Sequence, residues 1–463
     1  MTAKENLELF GSSNTNSQTI IATVAVLSDK GEGIIFDNGS EIYIKGVVPK
    51  DEVEINVGQP FVEGSKRRPG ELIRLIRPSP DRKIDSECCK YVSLCGGCPL
   101  GSLSFNAQYR FKMALIDDAL IKAGIKNFKQ SPFVASDAAV SRHKSIRFFA
   151  NSGKGLIQGF YQSRSHDVCC IDRCQSECEW FSALAQELCN LANTYGIKAY
   201  DEHSVQGLLR ALMMRDCGEN ERIAVLTYCS VLPQNFIEEL KALYLKHHIK
   251  AGFIQQNETH GNKIISGELT ALTKDKSVRA VIGGYAFDVG PQTFLQVNYD
   301  IAQKLYAAAV KWCGEGHEAE ALDLCCGCGT MTLPLSQYFK KVTGVEIIKE
   351  ATDAAMKNAN RAEIDNVEFI AADLKNVLPA LARRNIKAVI ADPPRVGLGD
   401  ANCKALKVLP KGTHLAVIFC GLKALSRDVA TLVKSGFKLQ AVQGFDMFPN
   451  AHGCETLCLF EKS

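Results

Sequence analysis

The chain has 463 residues, 46% of them apolar, and its 54 lysines and arginines nearly balance 51 acidic residues, for a net charge of +3. This length predicts about three domains. A charge this small permits a nucleic-acid partner without arguing for one. No apolar run approaches the roughly 18 residues of a membrane span, and the start does not resemble a signal peptide. We therefore expect a cytoplasmic protein, a monomer with no membrane partner, whose 19 cysteines are thiols or metal ligands rather than disulfides.

The first 78 residues divide into a polar tail and a run of short strands. Residues 1–18 are polar, and their composition predicts disorder. From residue 19 to 78, β-branched runs alternate with turns, which is typical of a small β-barrel. The basic side chains of this segment fit either a solvated face or a barrel that follows an RNA backbone. They are Lys45, Lys50, Lys66, Arg67, Arg68, Arg74 and Arg77.

A loop rich in cysteine follows the predicted barrel. Cys89, Cys95 and Cys98 lie close together in sequence, and two glycines between the last two let the backbone wrap around a ligand. Soft sulfur ligands favour zinc or an iron–sulfur cluster, and either one needs a fourth ligand. The spacing favours a cluster but leaves zinc open. Later cysteines that could supply the fourth ligand are Cys169, Cys170, Cys174 and Cys178.

The region from 79 to 280 mixes helices and strands, as an α+β domain does. Apolar periodicity predicts helices over 105–125, 179–195 and 235–247. The runs SIRFFA, GLIQGFY and RIAVLTYC predict strands. Six basic residues here are candidate contacts to phosphates or bases: Arg142, His143, Lys144, Arg147, Arg210 and Arg215.

From residue 281 onward, strands and helices alternate, which predicts a doubly wound, Rossmann-like α/β domain. Strands are expected near Leu322, Val345, Val367, Val389, Ala416 and Leu439, with a closing strand ETLCLFEK. The run ALDLCCGCGTMTL predicts a strand over 321–325, a tight turn at Gly327 and Gly329, and a helix from about Thr330. Glu346, at the tip of the next strand, can accept both hydroxyls of a ribose. These features indicate a nucleoside or dinucleotide cofactor without choosing between them.

Two more strand ends carry reactive groups. Asp392 ends the fourth strand and is followed by two prolines, which fix an extended loop suited to a flat ring. Cys420 ends the fifth strand just before a helix, where a thiol can serve as a nucleophile. Taken alone, the loop at Asp392 could equally be a plain turn, and Cys420 is more typical of a core thiol.

Six segments of the last domain together resemble the RNA uracil-C5 methyltransferases. They are GYAFDVGPQTFLQVNYD, LDLCCGCGT, GVE, ADPPRVG, the FC at Cys420 and DMFPNAHGCETLCLF. The predicted barrel resembles the TRAM domain found at their N-termini, and the cysteine loop resembles their four-iron cluster site. The resemblance covers nearly the whole chain in the same order, and it is closest to the 23S rRNA enzymes. It implies an OB/TRAM-like barrel over 19–78, a central iron–sulfur and RNA-binding domain over 79–280 whose helix 105–125 could pack on the catalytic domain, and a class I methyltransferase domain over 281–463.

The resemblance also implies cofactors and roles for residues. S-adenosylmethionine would be the methyl donor, and a [4Fe–4S] cluster would be held by Cys89, Cys95, Cys98 and Cys174, with Cys88 and Cys170 as near alternatives. Cys420 would add to C6 of uracil, and Glu455 would remove the C5 proton so that the thiolate can leave. The residues implied to line the methyl-donor site are Gln296, Cys325, Gly327, Gly329, Thr330, Glu346, Asp373 and Asp392.

The chain departs from the family pattern near these residues. Gly421 and Leu422 replace the usual Asn-Pro after the cysteine, Gly453 replaces a histidine, Cys325 replaces an aromatic residue, and PLGSLSF follows the third cluster cysteine. The first hypothesis is an enzyme acting on structured RNA, ribosomal more than transfer RNA. The second is an RNA-binding or assembly factor with weakened catalysis. A third, a nicotinamide oxidoreductase with an iron–sulfur centre, fits the glycine turn and Glu346 but gives the motifs at Asp392 and Cys420 no role.

Overall fold

The computed structural model describes residues 18–84, 89–136, 140–202, 204–259 and 264–463. Nearly all of the tail predicted over 1–18, and Cys88, lie outside the described residues. Within the described residues, sheets of six, seven and eight strands follow one another along the chain, with one β-hairpin between the last two. None of the helices in these ranges is long and apolar enough to cross a membrane.

The first sheet is built from residues 18–77 and has the strand order β1-β5-β6-β4-β3-β2. Its strands are β1 (Gln18–Thr23), β2 (Val26–Leu27), β3 (Gly33–Asp37), β4 (Ser40–Ile44), β5 (Glu52–Val57) and β6 (Arg67–Arg77). Aliphatic side chains such as Ile42, Val53 and Ile55 form its core. The buried carboxylate of Asp51 accepts the N–H of Ser79 at 2.8 Å and pairs with Arg82 at 2.6 Å, so the chain leaving the sheet is fixed against it.

The second sheet has the order β10-β9-β8-β11-β12-β13-β14 and is antiparallel apart from the pair β12–β13. Its strands are β8 (Lys144–Ser152), β9 (Gly155–Tyr161), β10 (Val168–Cys170), β11 (Leu209–Asp216), β12 (Arg222–Tyr228), β13 (Ile249–Gln256) and β14 (Leu269–Ala271). One face packs against the helices α2 (Glu179–Thr194) and α3 (Gln234–Lys246). The other face, with Met213 and Val225, shares a core with the C-terminal sheet.

The third sheet has the order β19-β18-β17-β20-β21-β23-β22-β7. Its strands are β7 (Lys129–Gln130), β17 (Gly316–Leu324), β18 (Phe339–Glu346), β19 (Val367–Ala371), β20 (Ile386–Ala391), β21 (His414–Phe419), β22 (Phe437–Phe445) and β23 (Glu455–Lys462). Strands β17 to β21 are parallel, and the order reverses between β17 and β20, which is where such sheets bind ligands. Its helices are α4 (Tyr299–Cys313), α5 (Thr332–Ser336), α6 (Lys349–Arg361), α7 (Leu374–Leu381), α8 (Asp400–Ala405) and α9 (Leu422–Lys434), with a 3₁₀ turn Leu406–Val408.

Part of the central region packs on this third sheet. Helix α1 (Phe105–Lys122) buries Ile116 and Leu120 in the same core as Leu425 of α9. Strand β7 then pairs in parallel with the edge strand β22. The hairpin of β15 (Val278–Ile282) and β16 (Tyr285–Val289) spans residue 280, where the sequence suggested a domain boundary.

The observed elements follow the predicted ones closely, with shifts at their ends. The three predicted central helices and all the predicted C-terminal strands are present. The helix predicted from about Thr330 is present and begins two residues later, at Thr332, because the chain is still turning through residues 327–331. The strand before the turn starts at Gly316, well before the predicted 321, and ends at Leu324.

Candidate active site

The glycine turn connects β17 to α5 at the ligand-binding edge of the third sheet. Cys325, Gly327 and Gly329 all have positive φ, at +61°, +52° and +89°. At Gly329 a Cβ would lie 3.0 Å from Leu333, so glycine is needed there for space as well as for backbone conformation. The N–H of Gly327 donates to Glu346 Oε2 at 3.2 Å, which ties the turn to the end of β18.

Two carboxyl groups lie near this turn, one buried and one half-buried. Asp323 is 0% exposed and accepts Thr332 Oγ1 at 2.6 Å, and burial raises its pKa to about 7. Asp392, which follows β20, accepts Gln296 Nε2 at 3.4 Å, and burial raises its pKa to about 7 as well. Burial is the main cause that raises the pKa of the Tyr306 phenol on α4, and the nearby carboxylate of Asp392 raises it further. The side chain of Tyr306 is hydrogen-bonded to Thr330. The arrangement offers acceptors for the donor groups of a small ligand.

The residues implied to hold the methyl donor fall along this one edge. Gln296 meets Asp392, and Gly327 meets Glu346, through the hydrogen bonds above. Asp373 lies at the outer end of the row, where it caps α7 by accepting the N–H of Lys375 at 3.1 Å. Its neighbour Ala372 donates to the carbonyl of Glu346 at 2.9 Å.

Cys420 and Glu455 lie on adjacent antiparallel strands. Phe419 pairs with Thr456, so the cysteine directly after β21 and the glutamate that opens β23 are neighbours. Glu455 is 2% exposed, and its Oε2 has no hydrogen-bond partner in the described chain. Burial, with a smaller contribution from Asp392, raises the pKa of Glu455 to about 8.

The thiol of Cys420 is half-buried in the same electrostatic environment. Burial raises its pKa to about 11, and the charges of Glu455 and Asp392 add to the rise, while Arg395 opposes it. The thiol is therefore protonated at neutral pH without a ligand. The site combines a sulfur nucleophile, a carboxyl group free to take a proton, and one nearby cation.

The segments around Cys420 are held against the loop that follows Asp392. A Cβ at Gly421 would lie 3.2 Å from the carbonyl of Arg395, so the glycine that replaces asparagine lets this loop approach closely. Arg427 Nη2 donates to the carbonyl of Val396 at 2.6 Å, and the buried Asp428 accepts the N–H of Leu398 at 2.7 Å. The SRD motif behind Cys420 thus positions the DPPR loop.

Residues of the central region hold the loop before Glu455 through an ion pair and hydrogen bonds. Lys112 of α1, fully buried, pairs with Asp446 at 2.5 Å and donates to the carbonyl of Phe448 at 3.0 Å. The N–H of Asn450 donates to Gln108 Oε1 at 3.0 Å, and its carbonyl accepts the N–H of Leu100 at 2.9 Å. Since Leu100 lies just after Cys98, the cysteine loop and α1 together fix the segment that leads to Glu455.

The four cysteines implied as cluster ligands line one cavity of about 250 Å³. Burial raises the pKa of Cys98 to about 12, and the charges of Cys174, Cys95 and Cys89 raise it further, as expected for thiols around a common space. Cys170 lines a different cavity, beside Cys189. Within the described ranges, no three or more histidine, cysteine or acidic side chains are grouped closely enough to hold a metal ion. Four thiols around a cavity are nevertheless the donor set of a [4Fe–4S] cluster, a larger body than one ion.

Two of the candidate RNA contacts were wrong. Arg147 is 0% exposed and bonds to Glu177 and Gln158, and Arg210 is 7% exposed and donates to the carbonyl of Asn257 at 2.9 Å. Both arginines bind protein groups, and the sequence does not reveal those partners. On the first sheet, three of the basic residues form exposed ion pairs with glutamates of neighbouring strands, which reduces its positive charge: Arg67, Arg74 and Arg77.

Some residues of the site were missed in the sequence. Tyr306 gave no signal, because an aromatic residue at helical spacing is typical of a core. Lys112 and Gln108 did give one: they fall on the same helical face as Ile116, and a cation and an amide on an apolar face need buried partners. Arg395 was present in a quoted motif, but its place near Cys420 and Glu455 becomes apparent only in the fold.

The chain is similar to known proteins over most of its length. The sequence matches the tRNA (uracil-5-)-methyltransferase family over residues 173–463. An uncharacterized RNA methyltransferase of Clostridium tetani is 29% identical over 447 residues, 94% of each chain, and one of Halalkalibacterium halodurans is 28% identical over 96% of this chain and 97% of its own. The structure of Pyrococcus abyssi tRNA (uracil-54, C5)-methyltransferase with S-adenosyl-L-homocysteine superposes with a TM-score of 0.72, at 20% identity, covering 95% of this chain and 100% of that one. At this identity the likeness establishes the fold, a class I, Rossmann-like methyltransferase.

Proposed function

Since the chain belongs to the tRNA (uracil-5-)-methyltransferase family, and is thus an S-adenosylmethionine-dependent RNA methyltransferase, we propose that it methylates C5 of a uridine through a temporary bond between Cys420 and C6. The observation that carries the proposal is the position of Cys420, directly after β21, next to Glu455 at the start of the adjacent strand β23. Glu455 is buried, has an unpartnered oxygen, and lies within electrostatic reach of Asp392. A uridine in a helix is inaccessible to these groups, so the base must be unstacked and held in the site.

The proposed steps balance as follows. The thiol of Cys420 loses its proton to solvent water, and the resulting thiolate adds to C6 of uracil, which moves electron density to C5 and O4 as an enolate. The methyl donor supplies an electrophilic carbon on a sulfonium, and C5 takes the methyl group as the carbon–sulfur bond breaks. Glu455 accepts the C5 proton, the C6–sulfur bond breaks, and the electron pair returns to Cys420. Arg395, the cation that opposes the rise in the pKa of Cys420, favours the thiolate.

We propose that the methyl donor lies across the glycine turn. Glu346 would accept its ribose hydroxyls, and Asp392 with Gln296 would face the group that carries the methyl. Their positions along one sheet edge, next to Cys420, support this assignment. The remaining contacts would come from Asp373 and from the backbone of the turn at Cys325, Gly327, Gly329 and Thr330.

For the substrate we propose ribosomal RNA over transfer RNA, with the first sheet acting as a TRAM-like RNA-binding barrel. The combination of that sheet with a cysteine cavity supports ribosomal RNA, since this combination underlies the resemblance to the 23S rRNA enzymes. The tRNA enzyme of Pyrococcus abyssi, which has the same fold, keeps transfer RNA as the alternative. The two RNA classes can be offered separately in the same assay.

The decisive experiment measures release of tritium from RNA labelled at C5 of uridine, with purified protein and methyl donor. We expect release from ribosomal RNA and, under the same conditions, at least about tenfold less from transfer RNA, a difference of about 1.4 kcal/mol. Release from transfer RNA alone would reassign the substrate. Binding of RNA with no release from either would favour the RNA-binding or assembly factor.

We propose further that Cys89, Cys95, Cys98 and Cys174 hold a [4Fe–4S] cluster. Methyl transfer needs no electron transfer, so the cluster would serve a structural role. Its cavity is walled on the catalytic side by Met447, Phe448 and Pro449, in the loop that leads to Glu455, and this supports a positioning task.

A brown protein with a broad absorbance near roughly 400 nm is expected after anaerobic purification, as for other thiolate-ligated iron. Cys95→Ser should lose most of the iron and the colour. Cys170→Ser is the matched control, because that thiol lines a separate cavity and should retain both. Iron and acid-labile sulfide assays would measure the outcome, and zinc in place of iron would contradict the assignment.

A further inference from the structure

Two unpaired cations lie side by side between the second sheet and the glycine turn. Lys144 of β8 and Arg215 of β11 are directly opposite each other in the strand register. Arg215 is 1% exposed, and its Nη1 has no hydrogen-bond partner. Neither side chain forms an ion pair or a hydrogen bond in the described chain. Burial, together with the charge of Arg215, lowers the pKa of Lys144 to about 8.

Two adjacent buried cations destabilise the folded protein unless an anion binds between them. A guanidinium remains charged at any physiological pH, and an uncompensated charge inside a protein disfavours the folded state by several kcal/mol in order of magnitude. Arg147, on the other face of β8, is a buried arginine with partners: its guanidinium pairs with Glu177 and donates hydrogen bonds to Gln158 and Ser182. Arg215 is equally buried and has no such partners.

The position of the pair relates it to the methyl-donor site. Arg215 lies between Met213 and Cys217 on the strand face that shares a core with Cys328 of the glycine turn. Burial raises the pKa of Cys328 to about 11, and the positive charge of Arg215 is among the influences that lower it. The same charge opposes the rise that burial causes in the pKa of Tyr299, at the start of α4.

His143, the residue before Lys144, contacts the segment that carries Gln296. His143 donates its backbone N–H to the carbonyl of Val297 at 2.8 Å, and its ring stacks on Tyr299 with centroids 4.5 Å apart. Val297 directly follows Gln296, whose amide reaches Asp392. Lys144 is therefore next to the residue that contacts the Gln296 segment, and Arg215 lies within electrostatic reach of Cys328 in the glycine turn.

We propose that Lys144 and Arg215 bind the carboxylate of the methionine part of the methyl donor. A carboxylate matches the forked guanidinium in two parallel hydrogen bonds, and Lys144 lies opposite Arg215, whose Nη1 has no partner in the described chain. The inference rests on use of the methyl donor, and is independent of the bond proposed between Cys420 and uracil.

Calorimetric binding of S-adenosylhomocysteine and of its decarboxylated analogue, without RNA, tests the assignment. The wild type should prefer the carboxylate-bearing ligand by about 30-fold, the usual size for charge-assisted hydrogen bonds in a buried site. Lys144→Met and Arg215→Met should each reduce this preference to about threefold or less, with affinity for the decarboxylated ligand retained. The matched control Lys154→Met, an exposed charge in the turn after β8, should keep the full preference.

Two other outcomes would overturn the proposal. An equal loss of affinity for both ligands would mean that the pair only supports the fold. Unchanged ligand binding with weakened RNA binding would assign the pair to a phosphate.

Thermal unfolding gives a second, independent readout. Without ligand, Arg215→Met should unfold at or above the wild-type temperature, because it removes an unpaired buried charge. With saturating S-adenosylhomocysteine its melting temperature should rise less than that of the wild type. A lower melting temperature of the ligand-free variant would show that Arg215 already has a partner, and would contradict the proposal. Both readouts measure binding alone, so they stand apart from any failure of the Cys420 chemistry.

Discussion

Replacing Cys420 with alanine is expected to abolish uridine methylation, with a rate loss of at least about 10⁴-fold. Uracil C5 is a poor nucleophile until a group adds at C6, and Cys420 is the thiol that lies next to the proposed base, Glu455. The thiol is half-buried, so its loss should cost no more than about 1 kcal/mol of stability. Tritium release from C5-labelled RNA measures the rate, and binding of S-adenosylhomocysteine and RNA, unchanged within about threefold, shows that the site is intact.

The matched control is Cys458→Ala. This thiol lies on β23, three residues after Glu455, and is 0% exposed in the apolar core. Its removal should lower stability a little and leave methylation near the wild-type rate. If Cys420→Ala keeps more than about a tenth of the activity, the sulfur forms no obligatory bond to the base, and the covalent mechanism is wrong.

The pattern of strands in the last domain could be read from the sequence because each parallel strand is a continuous apolar run between turns. The reactive strand ends followed from the same pattern, since ligands bind where such strands finish. The two-residue strand β7 could not be predicted. Lys129 and Gln130 show no apolar period, and they become a strand only by pairing with β22, more than 300 residues away.

The proposed catalytic pair shows a second limit of prediction from the sequence. From its residues alone, Glu455 resembles a surface group opening the last strand, and only the family resemblance suggested a role. The structure places it 2% exposed, and the loop before it is held by Lys112 and Gln108 of α1. Its partners come from segments far apart in the chain, and burial of a polar side chain depends on contacts that periodicity does not encode. The same reason made Arg147 and Arg210 look like RNA contacts.

The loop before Glu455 also connects the cysteine cavity to the proposed active site. Met447, Phe448 and Pro449 line the cavity, while the next residues lead to Glu455. Removing one partner of the buried pair Lys112–Asp446 would leave a charge uncompensated, at a cost of about 3–5 kcal/mol. A cluster bound in the cysteine cavity would stabilise the same loop through its contacts with the residues that line the cavity. We infer that the central region positions the base that resolves the adduct, in addition to any contact with RNA.

Glu455→Gln is expected to trap the protein on its substrate. Glutamine keeps the size of the side chain but cannot take the C5 proton, so the methylated base would stay bonded to Cys420. Because Oε2 of Glu455 has no partner, the substitution breaks no hydrogen bond seen in the described chain. A band of RNA-bound protein that survives denaturant and carries label from the methyl group should accumulate, while free methylated RNA falls by at least about 10³-fold.

Two controls make this outcome specific. Glu461→Gln, near the far end of the same strand β23, should turn over normally without a trapped band. Cys420→Ala combined with Glu455→Gln should give neither product nor band, since no bond to the base can form. Release of free product from Glu455→Gln at close to the wild-type rate would show that another group, or water, removes the proton.

The pH dependence of adduct breakdown follows from the same carboxyl group. Its pKa of about 8 means that Glu455 is mostly protonated at pH 7 and gains its basic form as the pH rises. In wild-type protein, single-turnover breakdown should therefore quicken nearly tenfold per pH unit below about pH 7 and level off above about pH 8. In Glu455→Gln this rise should disappear, because glutamine does not ionise. A profile of the same shape in both proteins would assign the titration to a different group, and would separate the base from Asp392, whose pKa is raised in the same site.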